Sequence, residues 1–195
     1  MPFTLQAPCE YREEIRKSRF IALAAPVATP AEAQAFIEGL SDRAASHNCW
    51  AWKCGAQYRF SDDGEPGGTA GRPILAAIEG QDCDQVAVLV IRWYGGIQLG
   101  TGGLARAYGG SAAKCLQGGE RVELVARIRA HCHVPFAELA RVKARLAEWQ
   151  VVVAQEDFDA SGAALLLSLP AERLDALARQ LADLGRGQIL LQPLD

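Results

Sequence analysis

The chain has 195 residues, half of them hydrophobic, 22% charged and 7% aromatic, with 20 Lys and Arg against 23 Asp and Glu for a formal net charge of −3. That composition excludes disordered, collagenous and coiled-coil chains and is enough to bury one core or two small ones. The charge splits evenly, 12 basic against 14 acidic residues over 1–125 and 8 against 9 over 126–195, so bulk charge gives no argument for non-specific nucleic-acid binding and leaves a local basic patch open.

The longest aliphatic run, residues 86–91 (VAVLVI), is far too short to span a bilayer, and Glu10, Glu13 and Glu14 precede any long apolar stretch. No membrane partner and no secretory leader are therefore expected, and the chain is expected in the cytoplasm. Cys9, Cys49, Cys54, Cys83, Cys115 and Cys132 form no C-x-x-C pair, and a chain of this size needs no covalent staples, so reduced thiols are expected.

In chain order, residues 15–23 (IRKSRFIAL) predict a first strand. Thr29 then stands as helix N-cap before Pro30, with Ala33, Phe36, Ile37 and Leu40 at helical spacing, for a helix ending near residue 45. Residues 47–55 (HNCWAWKCG) suit a pleated strand, the Gly/Pro cluster after Arg59 a loop, and residues 73–79 a short helix. Residues 85–94 (QVAVLVIRWY) lack alternation and read as a strand covered on both faces. A second glycine loop over 95–103 leads into a helix in which Leu104, Ala107, Tyr108 and Cys115 share a face, stopping at Gly118 and Gly119. Beyond it the elements expected are a strand over 124–134, a helix over 135–149, strands over 151–155 and 163–169, a helix over 170–184 and a closing strand over 188–191. The order βαββαβ is the ferredoxin-like split. The fold class is α+β, with domains over 1–122 and 123–195.

Two glycine segments carry the candidate chemistry. In the first, Ser61, Asp62, Asp63, Glu65 and Thr69 lie among four glycines ahead of Arg72. Asp-Gly and Glu-Pro-Gly are turn chemistry and the spacing is not that of an EF-hand, so no metal and no cofactor are expected. The second runs from Arg92, Trp93, Tyr94, Gly95 and Gly96 through Gly100, Thr101, Gly102 and Gly103 to Arg106, with Lys114 two turns on. A buried strand leading through glycines to a helix start presents bare N–H groups to an anion. As a nucleotide motif it fails, because Thr101 stands where a P-loop needs Lys and Ala105 replaces the third fingerprint glycine. Arg72, Arg92, Arg106 and Lys114 suit phosphate, and Trp93 and Tyr94 offer flat faces to an unpaired base. His47 and Cys49 share a strand face, as do His131 and His133, but neither pair has a third ligand or orienting residue nearby in sequence.

At these segments the chain resembles bacterial members of the IMPACT family. His47-x-Cys49-x-Ala51, Ser61-Asp62-Asp63-Gly64-Glu65-Pro66, Gly68-Thr69-Ala70-Gly71 with Pro73, Arg92-x-Tyr94-Gly95-Gly96 and Leu99-Gly100-Thr101-Gly102-Gly103-Leu104 with Arg106-Ala107-Tyr108-Gly109 carry the likeness, as does Lys17-Ser18-Arg19-Phe20. Trp93 stands where relatives usually carry Tyr. The resemblance implies an N-terminal βαβ-type domain similar to one of a small-subunit ribosomal protein and to domain IV of elongation factor G, followed by a ferredoxin-like domain similar to domain V of that factor. Eukaryotic relatives interfere with a kinase of translation initiation through a further partner-binding domain, a partner not carried over here. The function expected is translation-associated binding of RNA, the ribosome or a translation factor, without an assembled catalytic motif. The alternatives are a phosphate- or metal-dependent enzyme or small-anion binder working through Asp62, Asp63 and Glu65, and a protein-binding adaptor working through the second domain.

Overall fold

The computed structural model describes residues 2–194. Two compact units divide the chain, one ending at Leu124 and the other beginning at Val125.

The first unit runs β1 (Phe3–Leu5), β2 (Cys9–Ile15), β3 (Ser18–Pro26), α1 (Pro30–Leu40), β4 (His47–Cys54), β5 (Gln57–Ser61), α2 (Gly71–Gly80), β6 (Val86–Trp93), α3 (Gly100–Gly118) and β7 (Arg121–Glu123). Five strands form one sheet in the order β2-β3-β6-β4-β5, every pair antiparallel. Strands β3 and β4, joined through α1, therefore run parallel with β6 inserted between them, a split βαβ unit. The short pair β1 and β7 ties the two ends of the unit together, Phe3 lying opposite Glu123.

The run of apolar residues in β6 is explained by its central place. Val86, Val88 and Val90 enter one core with Ile74 and Ile78 of α2 and Leu104, Tyr108 and Leu116 of α3. Ala87, Leu89 and Ile91 enter the other with Ala33 and Ile37 of α1. Both faces are covered, so alternation has nothing to mark.

Capping sets α1. Thr29 Oγ1 accepts from the Glu32 N–H at 3.2 Å, and the Glu32 carboxylate accepts from the Ala28 N–H at 2.7 Å, a reciprocal arrangement worth about 1 kcal/mol. The helix stops at Leu40, earlier than expected, because the Ser41 N–H and hydroxyl both close on the Ile37 carbonyl, at 3.0 and 2.7 Å. The first strand expected over 15–23 is instead the second arm of a hairpin. Arg16 and Lys17 turn with φ of 48° and 64°, the doubly left-handed geometry of tight hairpins.

The second unit runs β8 (Arg127–Pro135), α4 (Phe136–Glu148), β9 (Val152–Phe158), β10 (Gly162–Pro170), a 3-10 turn (Ala171–Arg173), α5 (Leu174–Leu184) and β11 (Gln192–Leu194). Its sheet order β11-β8-β10-β9 is the ferredoxin-like arrangement. The closing strand lies beyond residues 188–191, with Pro193 opposite Ala130. Proline is tolerated there because β11 is an edge strand.

Candidate functional site

Strand alternation in β6 sends Arg92 to the same side as Val88 and Val90, where Glu65 meets it. The Arg92 Nη1 to Glu65 Oε1 distance is 2.6 Å, with the two side chains only 5% and 4% exposed. Tyr108 of α3 donates its hydroxyl to the same Glu65 oxygen at 2.7 Å. Ser18 Oγ accepts from Arg92 Nη2 at 3.2 Å and from the Gly95 N–H at 3.3 Å. His47 completes the cluster. Its Nδ1 donates to the Asp63 carbonyl at 2.7 Å and its Nε2 lies 3.7 Å from Glu65 Oε1. Burial pushes the Tyr108 phenol up, aided by Glu65, so it stays a donor.

Of the carboxylates in the first glycine loop, Asp62 is committed to the loop's own backbone. Asp62 accepts from the N–H groups of Gly68 (2.9 Å), Ala70 (3.1 Å) and Gly71 (2.8 Å). Burial opposes its ionisation, but these N–H groups outweigh it and hold the carboxyl below the usual range. Asp63 accepts from the Asn48 N–H at 2.5 Å, Ser61 Oγ from the Asp63 N–H at 3.2 Å, and Thr69 donates its hydroxyl to the Pro66 carbonyl at 2.6 Å. Asp62, Asp63 and Glu65 thus face separate partners. Among the described residues no three His, Cys, Asp or Glu side chains gather in a metal-binding arrangement. Cys49 and His47 do not bond each other: the thiol donates to the Asp62 carbonyl at 3.0 Å, and burial with the nearby carboxylates pushes it up to about 12. It is a protonated thiol at neutral pH.

Gly95 is the closest approach in the second loop. A Cβ there would fall 1.9 Å from the Lys17 carbonyl oxygen, so only glycine lets the loop lie against the β2–β3 turn. Helix α3 then starts at Gly100 with no side chain capping it, leaving its first N–H groups open. A cleft of about 570 Å³ lies before that start, walled by His47, Glu65, Arg92, Tyr94, Gln98 and Thr101. Both glycine loops therefore build one cleft. A second groove of about 250 Å³ holds Arg16, Arg106 and Lys114 with Glu13 and Gly103, and Leu99 lines both. Lys114 is paired with Glu13 at 2.8 Å.

The residues singled out from the sequence divide accordingly. Arg92, Tyr94, Gly100 and Thr101 face the cleft, Gly103, Arg106 and Lys114 the groove, and Gly102 lies against the Arg106 guanidinium. Trp93 turns to the α1 side, where the Arg19 guanidinium lies 4.2 Å over its ring. Arg72 stands apart in a hollow with Tyr58 and Phe60. Arg16, Ser18, Glu13 and Tyr108 were not singled out as site residues.

Residues 16–116 match the Impact N-terminal domain and residues 132–188 a domain of unknown function, DUF1949. A Thermus thermophilus protein described as an IMPACT family member in the pol 5′ region is 42% identical over 91% of this chain and 99% of its own length. The chain belongs to the IMPACT family. Another IMPACT family member, YigZ of Escherichia coli, is 36% identical over 97% of this chain and 96% of its own. Protein IMPACT of Xenopus laevis is 36% identical over 44% of this chain and 30% of its own. A crystal structure titled only as that of a hypothetical protein superposes with a TM-score of 0.77 at 36% identity over 99% of this chain and 97% of the other.

In this IMPACT family chain the second unit has a surface of its own. On the sheet face turned away from α4 and α5, Arg127, Arg129, His131 and His133 follow one another along β8, all exposed. His133 Nε2 lies 2.8 Å from Asp159 Oδ2. Hydrogen bonds from Ser161 above all hold the Asp159 carboxyl well below its ordinary range.

Proposed function

We propose that this IMPACT family protein is a translation-associated factor that binds a single-stranded RNA segment along the α3 face of its first unit. The observation that carries the reading is the meeting at Leu99 of the cleft and the cation groove. Along that line stand, in order, a half-exposed ring at Tyr94, the uncapped start of α3, and the exposed cations Arg16 and Arg106, with Lys114 beside them paired to Glu13. A stacking face, backbone N–H donors and spaced cations are what an unpaired RNA strand requires. Arg92 contributes by shaping the cleft, since its charge is met by Glu65.

The test is fluorescence anisotropy with short unstructured RNAs, and co-sedimentation with ribosomes, at about 50 and 200 mM salt. Two to three phosphate contacts on a single strand give a loss of about 7- to 20-fold across that range. Arg106→Ala, which removes an exposed cation with no internal partner among the described residues, should weaken binding and flatten the salt dependence. No association at either salt refutes the reading.

A further inference from the structure

Two thiols, 106 residues apart in sequence, face each other across the seam between β2 and α3: Cys9 Sγ lies 3.7 Å from Cys115 Sγ. Each is also held toward the other's backbone, Cys9 Sγ 3.3 Å from the Cys115 carbonyl and Cys115 Sγ 3.5 Å from the Cys9 carbonyl. Cys9 is half-buried on an edge strand, whereas Cys115 is 1% exposed. Cys9 is therefore the more accessible of the two to a small oxidant, with Cys115 behind it.

We propose that Cys9 and Cys115 form a site of oxidative modification, closing to a disulfide when a hydroperoxide reacts at Cys9. The Cys9 thiolate attacks the peroxide, the O–O bond breaks, and the departing oxygen takes a proton to leave as an alcohol, or as water from hydrogen peroxide. The Cys115 sulfur then attacks the sulfenic acid, the S–S bond forms, the S–O bond breaks and hydroxide leaves with the Cys115 proton as water. Two thiols lose two electrons and the peroxide gains them. The hydrogen bond with Cys115 lowers the Cys9 thiol from its ordinary value against the effect of burial, which favours the first step. The bond fastens β2 to α3 at one end of the seam whose other end carries the cation groove.

The experiment treats the folded full chain with stoichiometric hydrogen peroxide, blocks free thiols, and reads intact mass and a non-reducing peptide map. The expected product is lighter by two hydrogens, has Cys9 linked to Cys115, and melts about 5–10 °C higher until a dithiol reductant reverses it. Cys9→Ser and Cys115→Ser, each with unchanged circular dichroism when reduced, should lose the product. Should either variant misfold, the wild-type map decides alone. Six blocked thiols after treatment, a bond joining any other pair, or Cys9 carried to sulfinic acid without a bond each overturns the proposal.

Discussion

Replacing both members of the Glu65–Arg92 pair should cost clearly less than the sum of replacing each alone. The two side chains are 4% and 5% exposed and 2.6 Å apart, so Glu65→Leu leaves a guanidinium out of water whose remaining hydrogen-bond acceptor among the described residues is Ser18 Oγ, beside the Phe20 and Tyr94 rings. Stranding a buried charge in this way costs about 3–5 kcal/mol. It also orphans the Tyr108 hydroxyl, about 1–3 kcal/mol that overlaps with the first figure. Arg92→Met should cost a similar amount by stranding the carboxylate. In the double variant both charges are gone, and the loss should fall short of the sum of the singles by about 2 kcal/mol or more. Each single corresponds to a melting temperature lower by about 6–20 °C. Urea unfolding followed by tryptophan fluorescence reads the change, since Trp50, Trp52 and Trp93 lie in the first unit and only Trp149 in the second. Singles costing under about 1 kcal/mol, or a double equal to their sum, would show the pair to be hydrated and would refute its burial.

Gly95→Ala should destabilise the first unit by about 3 kcal/mol, because the added methyl meets the Lys17 carbonyl and one of the two backbones must shift; a melting temperature within 2 °C of wild type would contradict the close approach. Asp62→Asn should cost about 1–2 kcal/mol at neutral pH through weaker acceptance from three loop N–H groups. The sign with pH follows from the lowered carboxyl: its stabilisation is full above the unfolded value near 4 and is lost as pH falls through the folded one. Wild type should therefore lose stability below about pH 4 more steeply than Asp62→Asn, and parallel curves would exclude this role. Tyr94→Ala, at a residue 51% exposed, should weaken RNA binding by about 1–3 kcal/mol while leaving stability nearly unchanged; equal RNA affinity would remove the stacking role.

What the sequence made legible was whatever rests on local pattern. The capping of α1 by Thr29, the two-sided burial of β6 and the ferredoxin-like order of the second unit need only neighbours in sequence. The edge strands of the first unit were not legible, for a physical reason. In β2 the alternation is regular, but the inward set includes Glu13, whose partners Ser111 and Lys114 come 98 and 101 residues later. Strand β5 is exposed at four of five positions, so neither face carries an apolar signature. The burial of Arg92 was hidden likewise. An arginine ending a strand reads as a surface cation until the chain brings a glutamate 27 residues away into contact. Arg16 sits in a hairpin turn with Lys17, and the density of cations over 16–19 was the available signal for the groove.

The placing of β6 has a consequence for the order in which the chain becomes structured. Strands β3 and β4 share no pairing strand until residues 86–93 exist, since β6 is the strand that bonds to both. During synthesis the growing chain can close two independent hairpins, β2 with β3 and β4 with β5, each with an unpaired inner edge and an uncovered apolar face. Only the arrival of Val86–Trp93 joins them into one sheet, and α3 after it completes with α2 the cover of the first core. Long-range pairing of this kind slows assembly, and a chain halted before residue 86 lacks the strand that joins its two hairpins into one sheet.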